Sequence, residues 1–220
     1  IDALGTSQTA TDTITVTAED GTTEDVTITI TGTNDAAVIA GTATGAVTED
    51  ASTTTATGTL THTDVDANND ANVFTAVSTA TDSVSGYGTY TMTAAGVWTY
   101  TLDNTNSTIT ALAASATTTD TFAVTAEDGT SQTVTVTITG ANDTPTISTA
   151  ILDTFTNEDA VYSYDTSSYF SDVDTGDTLT YSATLSDDSA LPSWLSINST
   201  SGVLSGTPEN GDVGAINVTV

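Results

Sequence analysis

The chain has 220 residues, 29 acidic side chains, one histidine and no lysine or arginine, for a formal charge of −29. Phosphate recognition relies on Lys and Arg, so nucleic acid and anionic membrane are poor partners; no nucleic-acid partner and no membrane-embedded segment are expected. Cysteine is absent as well, which excludes disulfides and thiolate metal sites. Every carboxylate must therefore be solvated, hydrogen-bonded or matched by a cation from outside. An acidic surface suited to a salty habitat and specific divalent-cation sites both account for the charge, and local clustering has to decide between them.

Threonine, a β-branched residue that favours strands, alternates with apolar residues from the start. Ile14, Val16 and Ala18 share one face of residues 13–18, and Val26, Ile28 and Ile30 share one face of the next strand. Glu19-Asp20-Gly21 between them is a turn signal, so the pair reads as a hairpin. Further strands are expected at 55–62, 72–78, 88–93 and 97–102, with a helical turn or two, or a loop, at 109–116. Val134, Val136 and Ile138 then repeat the alternation of Val26, Ile28 and Ile30.

That last similarity belongs to a longer repeat. The segment beginning at Asp12, DTITVTAEDGTTEDVTITITGTND, returns from Asp120 as DTFAVTAEDGTSQTVTVTITGAND, an offset of 120 − 12 = 108 residues. Glu49-Asp50 recurs as Glu158-Asp159, and Asp64-Val65-Asp66 as Asp172-Val173-Asp174. Dividing at the Asn-Asp pairs gives residues 1–35 as the last strands of one domain, 36–143 as a complete domain and 144–220 as most of a third. The expected fold is all-β: a linear array of immunoglobulin- or cadherin-like sandwiches. There is no initiator methionine, signal peptide or bilayer-spanning run. The chain reads as an excerpt of something longer.

Within 36–143, four stretches carry a specific likeness: Val47-Thr48-Glu49-Asp50, Asp64-Val65-Asp66, Gly96-Val97-Trp98-Thr99-Tyr100, and the closing Ala126-Glu127-Asp128-Gly129 with Asn142-Asp143. In this order they resemble the VCBS repeat of very large bacterial surface proteins and adhesins, and residues 12–35 resemble the end of another. Phe170-Ser171-Asp172-Val173-Asp174, Leu191-Pro192-Ser193-Trp194-Leu195 and Gly202-Val203-Leu204-Ser205-Gly206-Thr207-Pro208 resemble the dystroglycan-type cadherin-like module, related to immunoglobulin-like repeats. Both resemblances imply β-sandwiches in tandem outside the cell, and neither implies a reaction.

Calcium takes six to eight oxygen ligands, which closely spaced Asp, Glu and Asn on loops can supply. The acidic pairs fall at domain ends, in an order that resembles the cadherin linker plan. That resemblance assigns Asn34, Asp35, Asp64, Asp66 and Asp128 to a first Ca²⁺-binding junction. It assigns Glu49, Asn142, Asp143, Asp172 and Asp174 to a second. Asp and Asn are also ordinary turn residues, and the run Asp66–Asp70 fits a ligand loop and a solvated loop equally. His62 has no second His or Cys to join it and reads as a surface or strand residue; Trp98 and Trp194 read as core anchors.

No catalytic arrangement is visible. There is no Cys or Lys nucleophile, no Ser and Asp at motif spacing around the single His, and no phosphate-cradling glycine loop. The expectation is a secreted, non-catalytic structural segment of a cell-surface adhesin or filament, whose partners are neighbouring repeats of the same chain. Two rivals remain: a module binding a glycan or protein ligand, and a subunit joining other copies head to tail in a filament or surface layer by strand complementation.

Overall fold

The alternation of threonine with β-branched and aromatic residues builds the first of two units, residues 1–109 with 115–141. The computed structural model describes residues 1–69 and 73–220. Strands β1 (Thr9–Thr17) and β2 (Thr23–Thr31) form an antiparallel hairpin that sets Ile14 opposite Val26. Its turn passes through Gly21 at φ 86°, a backbone region that side chains with a Cβ rarely enter.

Eight strands follow in this unit: β3 (Val38–Gly41), β4 (Thr44–Thr48), β5 (Thr55–Thr63), β6 (Val77–Asp82), β7 (Gly88–Met92), β8 (Val97–Leu102), β9 (Thr117–Thr125) and β10 (Ser131–Thr139). One sheet has the order β3-β5-β8-β7-β6 and the other β4-β10-β9. All pairs are antiparallel except β4 with β10, which run parallel with Thr44 beside Thr135 and Thr48 beside Thr139. Leu60, Met92, Trp98 and Tyr100 from the first sheet meet Phe122, Val134, Val136 and Ile138 from the second, all fully buried. Two inner faces interdigitating over one core make a β-sandwich.

Trp98 is the centre of that core. Its ring stands edge-on to Phe122 with centroids 5.7 Å apart, and its Nε1–H donates to Thr42 O at 2.7 Å. Gly58 lies so close beneath it that a Cβ there would sit 2.6 Å from the indole. Asp120, on the inward face of β9, is completely buried. Five donors surround it: the Ser83 and Tyr100 hydroxyls and the N–H groups of Ser85, Tyr87 and Thr121. Burial, then the hydrogen bond and charge of Asp120, push the Tyr100 phenol well above its ordinary pKa.

The strand expected at 72–78 begins only at Val77; Phe74 instead makes an isolated bridge to Ala126, and Asn72 lies outside the described residues. Residues 109–116 form turns without a helix, and Ile109 is fully buried. His62 is a buried strand residue: its Nε2 is 2.8 Å from Val73 O and its ring is edge-on to Phe74. Strand β4 ends beside Glu49 and has Val47 as its one large apolar residue.

The second unit comprises residues 110–114 with 142–220. Its strands are short: β11 (Thr146–Ile147), β12 (Tyr162–Asp165), β13 (Phe170–Ser171), β14 (Thr184–Leu185), β15 (Leu195–Ile197), β16 (Val203–Gly206) and β17 (Val218–Thr219). They pair as β11-β13, β12-β16-β15 and β14-β17. Ile147 faces Phe170 across β11-β13 just as Ile39 faces His62 across β3-β5, at the repeat offset. Among the described residues this unit has no counterpart of β10. Trp194, expected as a core anchor, is only partly buried.

Candidate metal centre

The acidic residues of the first unit are organised by the linker that enters its sandwich. Asp64 and Asp66 follow the end of β5, where the chain turns; the Asp66 N–H donates to Asp64 Oδ1 at 2.8 Å, a local Asp-to-backbone turn. Asn69 Nδ2 donates to the other oxygen of Asp64 at 2.9 Å, and Asp70 lies outside the described residues. From the linker, the Asp35 N–H donates to Asp66 Oδ2 and the Ala37 N–H to Asp128 Oδ2, each at 2.9 Å. Asn34 Nδ2 donates to Asp35 O at 2.7 Å. Thus Asn34, Asp35, Asp64, Asp66 and Asp128, far apart in sequence, occupy one hydrogen-bonded neighbourhood.

Asp128 sits in the β9–β10 turn, where the Thr130 N–H donates to its Oδ1 at 2.8 Å and the Thr130 hydroxyl to its Oδ2. Burial pushes its pKa up. Hydrogen bonds from the Thr130 hydroxyl, the N–H groups of Ala37 and Thr130, and the Asn34 side chain outweigh this and leave it below 3.8. The group is held as a carboxylate at neutral pH.

Asp66 is the unusual member. It is 2% exposed, and its Oδ1 is buried with no hydrogen-bond partner among the described residues. A buried, unpartnered carboxylate oxygen costs several kcal/mol, and the chain has no Lys or Arg to offset it.

The second unit repeats the arrangement. The Asp174 N–H donates to Asp172 Oδ1 and the Asp143 N–H to Asp174 Oδ2, both at 2.9 Å. Asn142 Nδ2 donates to Asp143 O. Asp174 is 5% exposed, and its Oδ1 is again buried without a partner among the described residues. Glu49 belongs to the first unit, where it is buried at the end of β4. Its N–H donates to Thr139 O at 2.9 Å, and its Oε2 accepts from Ala141 N–H at 3.3 Å.

These residues fit a hard cation in chemistry: they are oxygen donors, mostly anionic, and Asp66 and Asp174 each carry a buried oxygen with no hydrogen-bond partner among the described residues. They are not drawn into a cage. Among the described residues, no group of three or more Asp, Glu or His side chains stands in metal-binding arrangement. Several of the carboxylate oxygens are turned to backbone N–H groups instead, an arrangement that keeps like charges apart.

The fold is that of cadherin-like, immunoglobulin-type β-sandwiches. Residues 34–140 match the model described as Bacterial cadherin-like domain, and residues 144–220 match that described as Putative Ig domain. The VCBS resemblance read from residues 36–143 is not among these matches. A structure of protocadherin gammaB7, titled as an EC3-6 cis-dimer, aligns at 15% identity and TM-score 0.50 over 96% of this chain. The chain spans 55% of that protein's length. Protocadherin gamma B2 extracellular cadherin domains 3-6 align at 13% identity and TM-score 0.48, over 89% of this chain and 50% of that one. An endo-fucoidan hydrolase of glycoside hydrolase family 107 aligns at 20% identity over 96% of this chain and 31% of that one. Its TM-score of 0.30 is too low to bear on activity. No curated protein matches. No helix among the described residues is long and apolar enough to cross a membrane.

Proposed function

We propose that this chain is a non-catalytic, extracellular structural segment of a large cell-surface adhesin or filament, stiffened by calcium at its interdomain junctions. One observation carries the reading. A buried Asp oxygen with no hydrogen-bond partner among the described residues recurs at Asp66 and Asp174, each beside an Asp-x-Asp turn and an Asn-Asp linker. In a chain without Lys or Arg, a cation supplied by the surroundings is the natural counter-charge. Asn34, Asp35, Asp64, Asp66 and Asp128 serve one ion set. Asn142, Asp143, Asp172 and Asp174, joined by Glu49, serve the next.

The mechanism is mechanical rather than chemical. Calcium neutralises clustered carboxylates, relieves self-repulsion and fixes the angle between successive domains. Sites of extracellular modules bind with dissociation constants of about 10⁻⁴–10⁻³ M, so the segment is stiff outside the cell and slack where calcium is scarce. Small-angle X-ray scattering with calcium and then with chelator, at constant ionic strength, tests this. Calcium is expected to lengthen the particle and to narrow its spread of shapes. Superimposable profiles in the two conditions would sink the mechanical reading.

A further inference from the structure

Asparagine is a thermolabile residue because it can modify itself. The backbone nitrogen of the next residue attacks the side-chain amide carbon, ammonia leaves, and water opens the resulting ring to aspartate or isoaspartate. The step needs a free attacking N–H, an unhindered neighbour and a backbone loose enough to rotate. Glycine is the least hindered neighbour, since it has no Cβ. Asn or Asp precedes glycine three times in this chain, at Asp20-Gly21, Asp128-Gly129 and Asn210-Gly211.

The fold treats the three pairs differently. The Gly21 N–H donates to Ala18 O at 3.0 Å and the Gly129 N–H to Ala126 O at 3.1 Å. Their carboxylates are engaged too, Asp20 by the Thr22 N–H and Asp128 by the N–H groups of Ala37 and Thr130. Asn210 and Gly211 are instead the central residues of a turn. The Asp212 N–H closes it on Glu209 O at 2.8 Å, and the Glu209 N–H donates to Asp212 Oδ2 at 2.9 Å. All four residues of this turn are exposed. Among the described residues, neither the Asn210 side chain nor the Gly211 N–H has a hydrogen-bond partner.

The matching turn of the first sandwich shows what blocks the reaction. Strands β8 and β16 begin 203 − 97 = 106 residues apart, and Asp103–Asn106 stands after the first where Glu209–Asp212 stands after the second. It closes in the same way, the Asn106 N–H on Asp103 O at 3.1 Å. Asp103 and Thr105 are exposed there as well, so this turn lies at the surface of a completed sandwich. The residue after Asn104, however, is the β-branched Thr105, whose N–H is held by Asp103 Oδ1 at 2.9 Å. The linker asparagines are guarded likewise: the N–H groups of Asp35 and Asp143, which follow Asn34 and Asn142, donate to Asp66 and Asp174.

We infer that Asn210 is a site of spontaneous deamidation, converting to aspartate and isoaspartate in the folded protein. Gly211 N loses its proton and bonds to Asn210 Cγ; the bond from Cγ to the amide nitrogen breaks and releases ammonia. Water then hydrolyses either carbonyl–nitrogen bond of the ring, so the balance needs water alone. The product adds a carboxylate to a chain already at −29. The isoaspartate form also lengthens the main chain by one carbon in the connection from β16 to β17. None of this depends on the calcium reading.

Peptide mass spectrometry of the folded chain, held in warm, mildly alkaline buffer and sampled over time, provides the test. Digestion uses pepsin in acid, because the absence of Lys and Arg leaves trypsin no site. Peptides carrying residue 210 are expected to give way to two products of equal mass, the aspartate and isoaspartate forms, while peptides carrying Asn34 or Asn142 stay unchanged. Gly211→Val should abolish both products. A Cβ at this position meets nothing within 4 Å, and Gly211 lacks the positive φ of Gly21 and Gly129, so circular dichroism should match wild type. The wild-type comparison of Asn210 with Asn142 stands without any variant. Asn210 converting no faster than Asn142, the valine variant converting as wild type does, or an aspartate product without isoaspartate would overturn the inference.

Discussion

Replacing Asp120 by alanine is expected to cost about 4 kcal/mol, as five donors then lose one acceptor. Buried groups left without a partner cost about 1–3 kcal/mol each, and hydrogen bonds to a charged group contribute about 1.5–3 kcal/mol. The Ser83 and Tyr100 hydroxyls can turn toward other acceptors, but the N–H groups of Ser85, Tyr87 and Thr121 are fixed by the backbone. Folded domains are stable by only about 5–15 kcal/mol, so the change threatens the whole first unit. Asp120→Asn, which keeps one acceptor oxygen, should lose roughly half as much. Urea unfolding followed by tryptophan fluorescence measures both; an alanine variant within about 1 kcal/mol of wild type would contradict the assigned role.

Trp98→Ala is expected to fall in the same range, about 3–5 kcal/mol, the usual cost of emptying a large buried aromatic site. The cavity cannot close easily, because Gly45 and Gly58 approach the indole as backbone and have no side chains to swing in. Trp98→Phe separates the two contributions. It keeps most of the apolar volume but leaves Thr42 O without its donor, at about 1–3 kcal/mol. Trp194→Ala is the internal comparison: that ring is only partly buried and its loss should cost clearly less. Equal costs at the two tryptophans would contradict this contrast in burial.

The strands with strict alternation were legible, since Ile14/Val16, Val26/Ile28/Ile30 and Val134/Val136/Ile138 announce period two without competition from charge. The extent of β4 was not, because a segment with one large apolar residue has no period to read; its ladder with β10 sets its bounds. The strand expected from residue 72 starts later because Phe74 is buried as a single bridge, not as part of a run. Among the acids, the 108-residue recurrence of Asp-Val-Asp and Asn-Asp pointed to the linker neighbourhood. It could not tell that Asp66 and Asp174 would each bury an oxygen, because burial is a property of the loop above them. Asp120 was missed altogether. The signal was present, for Asp120 shares the inward register of β9 with Phe122 and Val124, and an aspartate on that face requires a set of donors inside the core.

Thermal unfolding in millimolar calcium and then in chelator, at constant ionic strength, tests the central claim most directly. At free calcium about 100-fold above the dissociation constant, one site adds about 2.7 kcal/mol, which raises the melting temperature of a domain this size by roughly 10 °C or more. The account predicts that rise for the wild-type chain, and its loss when Asp66→Asn and Asp174→Asn are combined. Melting that ignores calcium and follows bulk salt alone would contradict it, leaving the carboxylates as a screened acidic surface on a β-sandwich array.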